Sequence, residues 1–146
     1  QVLDAELDCA LVSLPQGAPP PDDLEFVPIF QEQLMLVLQA HPQPFRFAAF
    51  AEGCTYRAMG EAFLAQSEEA EIEIQDVGSY HAMLACVASG GYAGIVPQSV
   101  LETLTLPEAS QLQPVGQAIT QLIWRKGYAS PAFEKMRQLL ESASDL

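Results

Sequence analysis

Residues 74–97 read IQDVGSYHAMLACVASGGYAGIVP. The stretch opens as a strand and turns on Gly78-Ser79. Tyr80, Met83, Leu84 and Val87 then fall at i, i+3, i+4 and i+7, which predicts one apolar face of a helix. Ser79 stands where an N-cap belongs. Gly90-Gly91 ends the helix, and Ala93 to Val96 reads as the next strand before Pro97. Ala82, Ala85, Cys86 and Ala88 form a second, small-residue surface that would let another helix approach closely. Strand, helix and strand in so short a span make a βαβ unit, and such units imply parallel pairing.

A similar unit precedes it. The Phe-rich run Phe45 to Phe50 reads as a strand, Gly53-Cys54-Thr55 as a junction, and Tyr56, Met59, Phe63 and Leu64 recur at helical spacing with Thr55 as the expected cap. Glu71 to Val77 reads as a strand with Ile72 and Ile74 on one face, and Glu68 and Glu69 as a solvated loop before it. Toward the N-terminus, Val2, Leu3 and Leu7 read as the end of a helix, and Asp8 to Ser13 as a buried strand. PQGAPPPDD, with four of the 11 prolines, is a surface loop. Leu24 to Phe30 and Leu34 to Leu38 read as two strands separated by Gln31-Glu32-Gln33, and His41-Pro42-Gln43-Pro44 as a turn. Downstream, Gln98 to Leu104 reads as a short helix and Gln117 to Trp124 as a strand. The last helix has Ser130 as N-cap, Pro131 at its first position, and Phe133, Met136, Leu139 and Leu140 on one face. The order predicts an α/β fold.

Composition narrows the function. Of 146 residues 49% are hydrophobic, enough for a core. Lys and Arg number 6 against 19 Asp and Glu, a formal net charge of -13, which opposes approach to a phosphate backbone. No window reaches the length of a membrane span, and QVLDAELD lacks the order of a signal peptide, so a cytoplasmic location is expected. Cys9, Cys54 and Cys86 are odd in number and show no CxxC, which suggests neither disulfides nor a metal site. No metal, cofactor or catalytic residue is assigned.

The two junctions carry the functional reading. In open α/β sheets ligands sit at the carboxyl ends of strands, where helix N-termini present free N–H groups. Gly53-Cys54-Thr55-Tyr56 and Val77-Gly78-Ser79-Tyr80 each place Gly before a hydroxyl residue at a helix start, which suits an anionic or strongly polar small ligand. Read singly, Thr55 and Ser79 are also ordinary caps. Arg57, in the first turn, opposes the helix dipole. Either it pairs with Glu61 four residues on, or it holds a carboxylate-bearing ligand in a charge-assisted bond. A nucleophilic reading would use Cys54 with His81 or His41 as base. There is no GxGxxG, P-loop, HExxH or GxSxG.

At three places the sequence resembles the effector-binding domain of LysR-type transcriptional regulators. VLDAELDCALVS is similar to that family's L-L-x-G-x-L-D-x-A-L-V, LEFVPIFQEQLMLVLQAHP to its strand pair ending in His-Pro, and VGSYHAMLACVASGGYAGIVPQSVL to its V-A-A-G-x-G-I-A-L-L-P signature. Ala5 stands where the family often has Gly, which argues against a left-handed residue there, and Tyr92 replaces the second Gly of G-x-G.

The resemblance implies a type II periplasmic-binding-protein-like fold, two α/β lobes joined by two crossover segments. Lobe I would comprise 1–38 and 98–146 and lobe II 39–97, with a first strand-helix unit of roughly 30 residues expected to be missing. It implies a sensor and not an enzyme. A small effector, expected to be a carboxylate, would meet Ser13 and Leu14 from one lobe and Cys54, Thr55, Tyr56, Arg57, Gly78, Ser79, Tyr80, Val96 and Pro97 from the other. It also implies a homodimer or tetramer, with DNA bound only through a winged helix-turn-helix outside this sequence. The alternatives are a fragment of a solute-binding protein and a small cytosolic cysteine-dependent enzyme.

Overall fold

The computed structural model describes residues 1–40, 46–66 and 71–146. The turn expected at His41 to Pro44, the start of the Phe45 strand and the loop at Glu68 and Glu69 lie outside the described residues. The elements follow in the order β1 (Cys9–Pro15), β2 (Leu24–Gln39), β3 (Arg46–Ala49), α1 (Thr55–Leu64), β4 (Glu73–Asp76), α2 (Tyr80–Ser89), β5 (Tyr92–Pro97), α3 (Gln98–Leu101), β6 (Ser110–Arg125) and α4 (Pro131–Ala143). Packing divides the chain into unit 1, Gln1–Glu32 with Gln117–Leu146, and unit 2, Gln33–Gly116. β2 and β6 contribute to both.

In unit 2 the strands are hydrogen-bonded in the order β2, β5, β3, β4. β2 pairs antiparallel with β5, while β3 pairs parallel with both β5 and β4. The parallel pairings arise because α1 carries the chain from β3 to β4 and α2 from β4 to β5, the two βαβ units the sequence predicts. A parallel strand between helices is buried on both faces. β3 fits this: Phe47, Ala48 and Ala49 are all buried.

On one face Ala48 and Val96 pack with Met83, Leu84 and Val87 of α2, the residues whose spacing predicted that helix. On the other, α1 sits so close that a Cβ on Gly60 would come within 2.5 Å of Phe47 Cζ and 2.8 Å of Ile95 Cγ1. Gly60 is the one buried residue of α1. A glycine lowers helix propensity, and here it allows the close approach.

In unit 1 the order is β1, β6, β2. β1 runs antiparallel to β6, with Cys9 opposite Trp124 and Pro15 opposite Ala118. α4 covers one face through Phe133, against Ile29, Leu122 and Trp124. Ser130 caps it, accepting from the Phe133 N–H at 3.1 Å, with Pro131 in its first turn, as predicted. The predicted apolar face is only partly right. Leu140 packs on the core, whereas Met136 and Leu139 are exposed, and Arg137 turns inward over the Trp124 ring instead.

Three other expectations are corrected. Leu24 to Gln39 is one continuous strand, not two. Gln31-Glu32-Gln33 contains no turn residue, and the Gln33 side chain donates to the carbonyls of Leu34 and Gly116, so the polar trio is accommodated without a break. Residues 2–5 form a turn and not a helix end. Ala5 lies at φ 65°, in the left-handed region its Cβ was expected to avoid. Arg125 holds that turn by donating to the carbonyls of Val2 and Leu7, and Val2 is buried against Leu24 and Ile123. These contacts offset the strain. Ala5 is exposed, so Ala5→Gly is expected to raise stability by up to about 1 kcal/mol, the relieved strain less the entropy a glycine adds to the unfolded chain. A lowered denaturation midpoint would count against this.

Candidate functional site

The register of β3 and β4 places Ala49 beside Asp76, and the Val77 N–H donates to the Ala49 carbonyl at 2.9 Å. Both strands therefore end together, and both following junctions leave the same edge of unit 2. One runs through Gly53, at φ 90°, to Cys54 and α1; the other runs through Gly78 to Ser79 and α2. The Phe50 and Tyr80 rings join the two junctions in an edge-to-face contact at 5.1 Å.

The α2 start is as predicted. Ser79 is extended, and its Oγ accepts from the Ala82 N–H at 3.1 Å. The α1 start is not. Thr55 is already helical, and Cys54 is the N-cap, with no side-chain cap bond. A half-exposed thiol thus stands where a hydroxyl acceptor was expected. Neither α1 nor α2 has an acidic residue in its first turn, whereas α4 has both the Ser130 cap and Glu134.

Arg57 ties the edge together. Its Nε donates to Glu61 Oε1 at 2.9 Å, and its Nη1 donates to Asp76 Oδ1 at 2.9 Å and to the Phe50 carbonyl at 3.2 Å. The side chain is only 12% exposed, against 44% for Glu61 and 73% for Asp76. The Glu61 hydrogen bond foremost raises the Arg57 pKa further, with partial desolvation opposing and the Asp76 charge adding. The ion pair with Glu61 is therefore present, joined by two partners outside the helix. A cavity of about 380 Å³ opens here, lined by residues including Glu52, Cys54, Thr55, Arg57 and Glu61.

Cys54, Thr55 and Arg57 thus share one cavity, while Gly78, Ser79 and Tyr80 leave the same edge outside its lining, linked to it by the Phe50–Tyr80 ring contact; Tyr56 is in the first turn of α1. Val96 and Pro97 are buried, Val96 within the core cluster. Ser13 and Leu14 belong to unit 1, where the Ser13 and Thr120 hydroxyls share a hydrogen bond at 3.1 Å. Phe50 and Asp76 were not singled out from the sequence. Their signal was their place, Phe50 as the last residue of the Phe-rich run and Asp76 directly before Val77-Gly78.

His81, proposed as a base, is exposed and lines a different groove of about 460 Å³ with Ala85, Ala88 and the 103–107 segment, while Cys54 lines the cavity at α1. His41 lies outside the described residues. Burial foremost, with the Asp8 charge adding, raises the Cys9 pKa. The unfolded thiol then ionises first. Its contribution to stability is complete below the ordinary thiol range and is lost as pH rises through it. Cys9 is accordingly expected to react with iodoacetamide more slowly than a free thiol at about pH 8; an equal rate would contradict its shielding.

The mixed α/β architecture, with helices on both faces of the parallel strands of unit 2, is that of the type II periplasmic-binding-protein-like class. The chain matches the LysR substrate binding domain family over residues 1–145 and belongs to that family. It is an effector-binding regulatory domain of LysR type. The regulatory domain of CcmR from Synechocystis PCC6803, solved in complex with 2-PG, is 15% identical, with TM-score 0.74, and the match covers 99% of this chain and 76% of that one. A sulfate-bound regulatory domain of an OxyR2 mutant from Vibrio vulnificus is 19% identical, with TM-score 0.71, covering 99% and 74%. A full-length OxyR variant from Pseudomonas aeruginosa is 20% identical, with TM-score 0.65, covering 97% and 54%. At these identities the likeness is one of fold. No curated protein sequence matches the chain. No helix among the described residues is long and apolar enough to cross a membrane.

Proposed function

We propose that this domain senses a small anionic effector, a carboxylate or similar oxyanion, at the edge of unit 2 where α1 and α2 begin. Thr55, Tyr56, Arg57, Ser79 and Tyr80 provide the contacts. The lobes read from the sequence, 1–38 with 98–146 and 39–97, are proposed as the bodies of the sensor; packing assigns 33–38 and 98–116 to unit 2 instead. In the whole regulator, which we place in the cytoplasm as a homodimer or tetramer, occupancy biases the pose of a winged helix-turn-helix that contacts DNA.

One observation carries the reading. α1 and α2 both begin just past the ends of the parallel β3–β4 pair, and neither has an acid in its first turn. Such ends attract anions. The sulfate-bound OxyR2 domain and the CcmR complex with 2-PG lend support from the same fold. The test is a titration with sulfate and a panel of small carboxylates, followed through backbone amide signals. The first-turn amides of α1 and α2 are expected to move together and saturate. Saturable binding that leaves both sets unmoved would overturn the reading.

A further inference from the structure

Arg57 faces two kinds of partner. Asp76 and the Phe50 carbonyl hold Nη1 from the ends of β4 and β3, and Asp76 is not among the cavity residues. Glu61 holds Nε from within α1 and lines the cavity at the helix start, as Arg57 itself does. An anion entering that cavity meets a guanidinium already engaged by a carboxylate. It also meets Glu52 and Glu61, two negative charges in the cavity wall. A half-exposed helical ion pair of this kind is weak and is easily exchanged for a better acceptor.

We infer that Glu61 is a specificity-determining residue of this edge. It occupies the Nε side of Arg57, so that only a ligand able to displace a carboxylate gains the arginine, while Asp76 and Phe50 keep the guanidinium in place. The inference rests on the effector reading above. It favours compact oxyanions, whose several acceptor oxygens each take one N–H of the guanidinium fork, over spherical anions such as chloride, where one acceptor must share two parallel N–H groups.

The experiment is a sulfate titration of the chain and of the Glu61→Gln, Arg57→Gln and doubly substituted chains, with chloride as control and backbone amide signals of residues 54–58 and 79–82 as readout. The Arg57 Nε–H signal of the unaltered chain is followed as well, which keeps the test informative if Arg57→Gln does not fold. Glu61→Gln is expected to tighten sulfate binding roughly twofold to fivefold, the range for an exposed ion pair. That gain is expected to vanish when Arg57 is also replaced, and the Arg57 Nε–H signal is expected to shift with sulfate far more than with chloride. Unchanged affinity in Glu61→Gln, a gain that survives loss of Arg57, or an unmoved Nε–H signal under saturating sulfate overturns the inference and leaves the effector reading standing. If sulfate moves neither set of amides in any of these chains, the effector reading itself falls and the inference with it.

Discussion

Phe47→Ala is expected to cost about 3–5 kcal/mol of stability, the range for emptying an aromatic core site. Phe47 is 1% exposed and heads the largest fully buried side chains. Its ring lies under Gly60 beside Ile95, the contact on which α1 rests, and Gly60 is the only buried residue that helix has. The helix cannot collapse onto the vacated space without drawing Arg57 away from Asp76 and the Phe50 carbonyl, so relaxation is limited and the cost should fall in the upper part of the range. Phe47→Leu, which keeps an apolar branch under the helix, should lose less. Urea denaturation followed by circular dichroism measures both. A loss below about 1 kcal/mol for Phe47→Ala would mean that α1 is held by something other than this contact.

That contact is also the part of α1 that apolar spacing does not show. In α2 the apolar spacing, the Ser79 cap and the terminal Gly90 all pointed to one answer, and each is in place. In α1 the residue that meets the sheet is a glycine, which carries no hydrophobic signal. Its role depends on Phe47, which lies on β3 and outside the helix's own spacing. The cap was misplaced for a related reason. Thr55 has the better cap chemistry, but the helix takes Cys54 as its N-cap and leaves the position without a side-chain bond. β2 was split because Gln31-Glu32-Gln33 looks like a break when its partners in unit 2, β5 and Gly116, are unknown.

The site was legible in parts. Each strand–Gly–hydroxyl–helix junction could be found from local pattern, since both helices begin within one residue of the expected position. That they leave the same edge of unit 2 could not, because this follows from the parallel pairing of β3 with β4, a long-range choice with no local signature. Arg57 shows the same division. Its partner four residues on was readable from helix spacing, and its bonds to Asp76 and Phe50 were not. Left-handed Ala5 was misjudged because the penalty is local while the compensation comes from Arg125 on β6.

Trp124→Ala is expected to be the costliest single change in unit 1, again about 3–5 kcal/mol. Trp124 is 6% exposed on β6, opposite Cys9. Its ring meets Phe133 at a centroid distance of 5.1 Å, and Arg137 lies over it at 5.5 Å. Removing it would strip α4 of the surface on which both Phe133 and Arg137 rest. The indole also has a polar tie, because Nε1 donates to Glu25 Oε2 at 2.8 Å and so joins β6 to β2. Trp124→Phe separates the two effects. It keeps most of the apolar contact, loses the bond to Glu25, and should cost about 1.5–3 kcal/mol, the range for a hydrogen bond to a charged group together with the smaller ring. Glu25 is exposed, so water can take up its carboxylate once the indole is gone, which favours the lower end. This is the chain's only tryptophan, so the variants must be compared by circular dichroism in urea and not by fluorescence. If Trp124→Phe proves as costly as Trp124→Ala, the Glu25 bond and not the packing of α4 dominates unit 1.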